Sequence, residues 1–224
     1  MKVLFFGRAE DSYSINCYKY LLKIGYMVDV VWSSSRNDVL PEKLDQNNYD
    51  YIFCFRSYFI LPKELIDSVK FFCINFHPGS PKYPGTGGIN FCLYKDDTDY
   101  GVTAHIMNEK IDNGEILAVQ NILVSKDDNL ESLLHKTHES LLELFISFSK
   151  EIFFNGTTFI EESIAKNQNI KWSKEKKSAK DLDKYQFIEI GVDEKEISKR
   201  IRSFHCTKYP LKLRYMGHEF IYKS

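Results

Sequence analysis

The first 76 residues alternate short apolar runs with amphipathic stretches. Residues 2–6 form a near-continuous apolar run closed by Gly7, residues 12–24 carry apolar side chains at helical spacing up to Gly25, and residues 27–32 return to strand-like spacing. A strand–helix–strand opening is therefore expected. Residues 51–55 and 71–76 are short aromatic-rich runs suited to strands covered on both faces, with a helix over residues 62–69 between them. Beyond a Gly- and Pro-rich loop, residues 102–107 and 116–124 read as strands, and Asp112-Asn113-Gly114 supplies a turn through which they can pair antiparallel. Leu130, Leu133, Leu134, Leu141, Leu142, Phe145 and Phe148 recur at helical spacing. With Asp128 and Glu131 as a capping box, they predict one helix to about residue 154. The tail offers a helix over residues 194–203 and two alternating runs about Gly217-His218, a hairpin too small to stand alone. The expected fold is α/β, a mixed and mostly parallel sheet with a small C-terminal helix and β-hairpin. Residues 1–166 are read as the main domain, the basic stretch 167–192 as a surface connection, and 193–224 as a docking element or dimer contact.

The 224 residues are 43% hydrophobic and 27% charged, which suits a chain that folds by burial. A net charge of -1 supplies no global field for a nucleic acid or an anionic membrane. Neither a membrane span nor a signal peptide is legible, since the opening apolar stretch is short and soon acidic, so the expected location is cytoplasmic. Five cysteines, Cys17, Cys54, Cys73, Cys92 and Cys206, are scattered without a C-x-x-C pair and are expected reduced and buried.

The turn after the first strand, Gly7-Arg8-Ala9-Glu10-Asp11-Ser12, lacks the G-x-G-x-x-G of dinucleotide folds and places two acids where phosphates would sit. His135 and His138 have no convincing further ligands, and no metal is expected. The informative stretch is residues 74–117. There a strand ends in Asn75 and His77, two apart and so on one face, and Asp112 follows in a distant turn. An amide donor, a group that titrates near neutrality and a carboxylate together suit acyl transfer through a tetrahedral oxyanion. The same residues would equally serve as a turn cap, a pre-proline loop residue and a hairpin turn.

The order N-F-H-P, K-Y-P-G, G-V-T-A-H and D-N-G-E-I resembles the folate-dependent formyltransferases. That resemblance implies a Rossmann-like core and places Asn75, His77 and Asp112 on the three catalytic positions. It also lays the segment 56–62 along the pterin of N10-formyltetrahydrofolate, with Phe59, Ile60 and Leu61 at the contacts, and makes His105 a support for Asp112 or for the wall of the site. The loop 77–88, Trp172, Lys180-Asp181-Leu182 and the tail 201–210 look like the subgroup acting on nucleotide-linked 4-amino-4,6-dideoxy sugars. A thymidine diphosphate carrier, a role in O-antigen-type polysaccharide and a homodimer follow as implications. Lys82, Trp172, Lys180 and Tyr209 are the candidate nucleotide contacts. A methionyl-tRNA formyltransferase is disfavoured by the missing basic C-terminal module. Glycinamide ribonucleotide formyltransferase, formyltetrahydrofolate hydrolase and a non-catalytic folate- or nucleotide-binding module stay as alternatives.

Overall fold

The apolar runs become the strands of one sheet, and their spacing fixes which side chains it buries. In the structure, a computed structural model that describes residues 1–44 and 48–223, the elements begin β1 (Lys2–Arg8), α1 (Ser12–Ile24), β2 (Met27–Ser33), β3 (Tyr51–Phe55), α2 (Lys63–Asp67) and β4 (Phe72–His77). They continue with α3 (Gly88–Tyr94), β5 (Asp99–Ile106), β6 (Ile116–Leu123) and α4 (Leu130–Asn167). The last are α5 (Ala179–Gln186), β7 (Phe187–Ile188), α6 (Glu194–Phe204), β8 (Lys212–Tyr215) and β9 (His218–Ile221).

The chain divides into two compact units. The first takes residues 1–78, 102–120 and 138–171, and with them the sheet ordered β2-β1-β3-β4-β5-β6. Its first four strands pair in parallel and β5 joins β4 antiparallel, which is the mixed, mostly parallel α/β arrangement expected. One face is aromatic. Phe145 of α4, wholly buried, meets Phe5, Phe53, Phe55 and Phe76 edge-on at centroid distances of 5.8, 6.1, 5.5 and 4.7 Å. The other face buries Leu4, Phe6, Ile52, Cys54 and Cys73 against Leu61, Leu65 and Ile66.

The second unit takes residues 79–101, 121–137 and 172 onward. Here the structure adds elements the periodicity did not reveal. The stretch expected as loop contains α3, which buries Ile89, Phe91, Cys92 and Leu93 and sets Phe91 edge-on to Tyr185 and Phe204. The basic connection contains α5, opened by a Ser178/Asp181 capping box, and β7, which pairs in parallel with β8. At the start of α4 the cap is Asn129, whose Oδ1 accepts the Glu131 and Ser132 N–H groups, while Asp128 takes the Ser125 N–H and the Lys136 ammonium. The β8–β9 hairpin closes at Met216-Gly217, one residue earlier than expected, because Tyr215 pairs with His218.

In α4 the helix expected to end near residue 154 stops at Gly156, and a second helix follows to Asn167. Gly156, at φ 61° and ψ -141°, breaks α4 into two helices, a backbone state that glycine alone adopts without strain. All five cysteines are free and buried. Among the described residues no helix is long and apolar enough to cross a membrane.

Phe145 joins four aromatic residues from three strands, so Phe145→Ala should cost about 3–5 kcal/mol. The expected readout is a lower urea midpoint with an unchanged slope.

Candidate active site

Strand alternation aims Phe76 into the aromatic face and leaves Asn75 and His77 on the opposite one. The antiparallel register then sets His105 of β5 directly across from Asn75, and Thr103 across from His77. His105 is 2% exposed. Its Nδ1 lies 2.8 Å from the Ile106 carbonyl oxygen, which accepts only, so Nδ1 carries the proton and Nε2 keeps its lone pair. The Asn75 Nδ2 donates to that lone pair at 3.1 Å. Asn75 is thereby fixed in one amide orientation, with the second amide N–H pointing elsewhere.

Burial pushes the His105 pKa down to about 4, and the neighbouring His77 adds to the fall. The ring is neutral at neutral pH. Its 3.9 Å approach to Asp112 Oδ1 therefore sets two acceptors side by side and is no ion pair. Beside Asp112, His105 also holds Asn75.

Asp112 is 7% exposed, and its Oδ1 lies 3.3 Å from His77 Nδ1. It reaches this position through a tight turn in which it adopts φ 47°, a left-handed state that Asp tolerates better than most residues. The turn closes on Gly114, where a Cβ would come within 1.7 Å of the Ile106 carbonyl oxygen. That carbonyl also receives the His105 proton, so one backbone group ties together the histidine and the turn carrying Asp112.

Beside this site, at the carboxyl ends of β1 and β3, the chain fills its own turn. Asp11 caps α1 by accepting the Ser14 N–H and hydroxyl, and its other oxygen takes Arg56 Nη1 at 2.7 Å. Both side chains are nearly buried, and burial lowers the Arg56 pKa against the opposing pull of Asp11. An internal carboxylate thus occupies the place where a dinucleotide fold would seat its phosphates. Sequence reasoning noticed Asp11 and missed its partner Arg56, which carries the local signal of a charge at the end of an apolar strand.

Of the segment expected along the folate, Leu61 is buried and Phe59 half-buried against Phe6, whereas Ile60 is 71% exposed. A groove of about 360 Å³, lined by Lys63, Ile66, Asp67, Met107, Glu109 and Asn113 among others, borders the turn that carries Asp112. The four expected nucleotide contacts all lie in the second unit. Lys82 is engaged by Asp97 at 2.7 Å, Trp172 is half-buried, Lys180 lies exposed on α5, and Tyr209 is half-exposed below the Lys208 ammonium. Among the described residues no group of three or more His, Cys, Asp or Glu side chains could hold a metal ion.

A polar site at the strand ends of a mixed α/β sheet, with amide, imidazole and carboxylate converging, is the architecture of a group-transfer enzyme. Residues 27–148, just over half of the chain and including Asn75, His77, His105 and Asp112, match the family model described as formyl transferase, and the chain belongs to that family. A methionyl-tRNA formyltransferase of Prochlorococcus marinus (strain MIT 9312) is 32% identical over 154 residues, 65% of this chain and 44% of the relative. The chain thus spans less than half the length of that relative. Among solved structures, a sugar N-formyltransferase from Shewanella sp FDAARGOS_354 matches with a TM-score of 0.77 at 17% identity, over 100% of this chain and 97% of that one. A 4-N formyltransferase from Francisella tularensis gives 0.77 at 20% identity, over 99% and 96%.

The depressed pKa of His105 has a consequence for stability. Between about pH 6.5 and pH 4 the unfolded histidine binds a proton that the folded one refuses, so stability is lost as pH falls through that window and is unaffected above it. Urea unfolding from pH 7.5 to 4.5 should show a smaller acid loss for His105→Gln than for the wild type.

Proposed function

We propose that the protein transfers a formyl group from N10-formyltetrahydrofolate to the C4 amine of a 4-amino-4,6-dideoxy sugar carried on a nucleoside diphosphate, with thymidine as the nucleoside. Family membership and the convergence of Asn75, His77 and Asp112 support the reaction. The observation that carries the acceptor class is a fold likeness to a sugar N-formyltransferase and a 4-N formyltransferase that extends over the C-terminal helix and hairpin. A second reading, methionyl-tRNA as acceptor, is favoured by the curated relatives. The net charge of -1 weighs against it, because phosphate contacts dominate RNA affinity.

In this mechanism the neutral amine attacks the formyl carbon, and the carbonyl oxygen becomes an oxyanion. The Asn75 N–H that His105 does not engage and the His77 ring nitrogen remote from Asp112 donate to it. Asp112 holds the other His77 nitrogen, stabilises the imidazolium and receives the proton that the amine loses. Collapse breaks the bond between the formyl carbon and N10, and His77 protonates the departing nitrogen. The Phe59–Leu61 backbone lies along the pterin, since the Phe59 and Leu61 side chains are committed to the core. Leu213 and Phe220, paired across the hairpin and both exposed, give the contact for a second copy.

Mass spectrometry after incubation with N10-formyltetrahydrofolate and a thymidine diphosphate-linked 4-amino-4,6-dideoxy sugar should find one formyl group added to the sugar. Asp112→Asn keeps the shape and tolerates the left-handed backbone, and its kcat should fall about 10²–10⁴-fold. Formylated methionyl-tRNA in place of formylated sugar would establish the second reading, and free formate alone would overturn both.

A further inference from the structure

The sheet order β2-β1-β3 makes the carboxyl ends of β1 and β3 the point where the chain reverses direction across the sheet, the place where open α/β sheets seat ligands. Continued by two residues along β1 and β4, the register Phe6↔Cys54↔Asn75 sets Arg8 and His77 in one row, and Arg56, at φ 55°, turns out of the end of β3 between them. The Arg8 Nε donates to the Arg56 carbonyl oxygen at 3.2 Å. Neighbouring strands are about 4.8 Å apart, so the Arg8 α-carbon stands about 10 Å from that of His77.

Three observations single out Arg8 within this row. Its guanidinium lies 4.0 Å from the centre of the Tyr58 ring, and the residue is half-buried. The loop bearing Tyr58 is itself fixed, by the Tyr58 N–H on Ser33 Oγ at 2.9 Å and the Phe59 N–H on Ser57 Oγ at 3.2 Å. Of the two acids in this turn, Glu10 is exposed, and Asp11 is spent on Arg56 and on the Ser14 N–H and hydroxyl. Among the described residues no carboxylate comes within ion-pair distance of Arg8. A guanidinium over an aromatic ring with only Nε engaged has its two terminal nitrogens available as a fork, the geometry that matches two oxygens of a phosphate.

We infer that Arg8, held against Tyr58, is the anchor for the diphosphate of the acceptor. This inference rests on the nucleotide-sugar reading for the source of the phosphate. The fork itself selects a phosphate-type anion one strand beyond Arg56 from the reacting centre. It also moves the nucleotide contact from the lysines of the second unit, where Lys82 is already paired with Asp97, to a residue on the same sheet as His77.

The test is calorimetric titration of thymidine diphosphate, inorganic pyrophosphate and tetrahydrofolate into the wild type, Arg8→Gln and Arg8→Lys. Gln can keep the bond to the Arg56 carbonyl without the charge, and Lys keeps the charge without the fork; melting temperatures confirm that both variants fold. The expected result is that both variants bind the two phosphate ligands about 10- to 100-fold more weakly and tetrahydrofolate as before. Unchanged phosphate binding, a loss confined to tetrahydrofolate, or no phosphate binding by the wild type would each overturn the inference. The acceptor reading is judged separately by the formylated product, so a formylated sugar with unchanged Arg8 variants would leave that reading standing and remove only the anchor.

Discussion

Everything in the site depends on one antiparallel register, Asn75 of β4 against His105 of β5. Strand side chains alternate between faces, so a slip of one residue would send Asn75 and His77 into the aromatic face and bring Phe76 out among polar groups. The aromatic packing of Phe76 on Phe145 opposes such a slip. What holds the structure also fixes the amide. The Ile106 carbonyl sets the His105 tautomer, that tautomer sets the Asn75 orientation, and the close approach of Gly114 to the same carbonyl sets the turn that carries Asp112.

Charge is partitioned along the row of strand ends. At β3 the buried Arg56–Asp11 pair is closed on itself and stiffens the turn before α1, a structural use of a place that dinucleotide folds leave open. At β4, His77 faces Asp112. His105, between strand and turn, stays neutral because burial outweighs the attraction of the carboxylate. In the proposed reaction this leaves His77 as the one imidazole at the site that cycles its charge.

Much of this was legible in the sequence, and the misses have physical causes. Strands β1, β3 and β4 declared themselves because their apolar runs are nearly unbroken, and the edge strand β2 because its pattern follows a helix closed by Gly25. Asn75 and His77 stood out as polar residues ending such a run. Helix α3 was hidden because seven residues between two glycines and a pair of aspartates give too short a window for helical spacing. Gly156 reads as an end and is one, and only the second helix beyond it was hidden. Helix α5 is polar with no buried residue, so only its capping box marked it. The bond from Asn75 to His105 spans thirty residues and depends on a strand pairing that local pattern does not specify.

A neutral, Nδ1-protonated His105 clamps Asn75. Nitrogen-15 NMR of histidine-labelled protein, followed from pH 8 to pH 5 with His105→Gln for assignment, reads protonation and tautomer directly. The account predicts a His105 resonance pair that stays neutral across this range with the proton on Nδ1, as a folded-state pKa of about 4 requires. A His105 that titrates near 6.5, or that carries its proton on Nε2, would contradict it, because Asn75 would then face a donor instead of an acceptor.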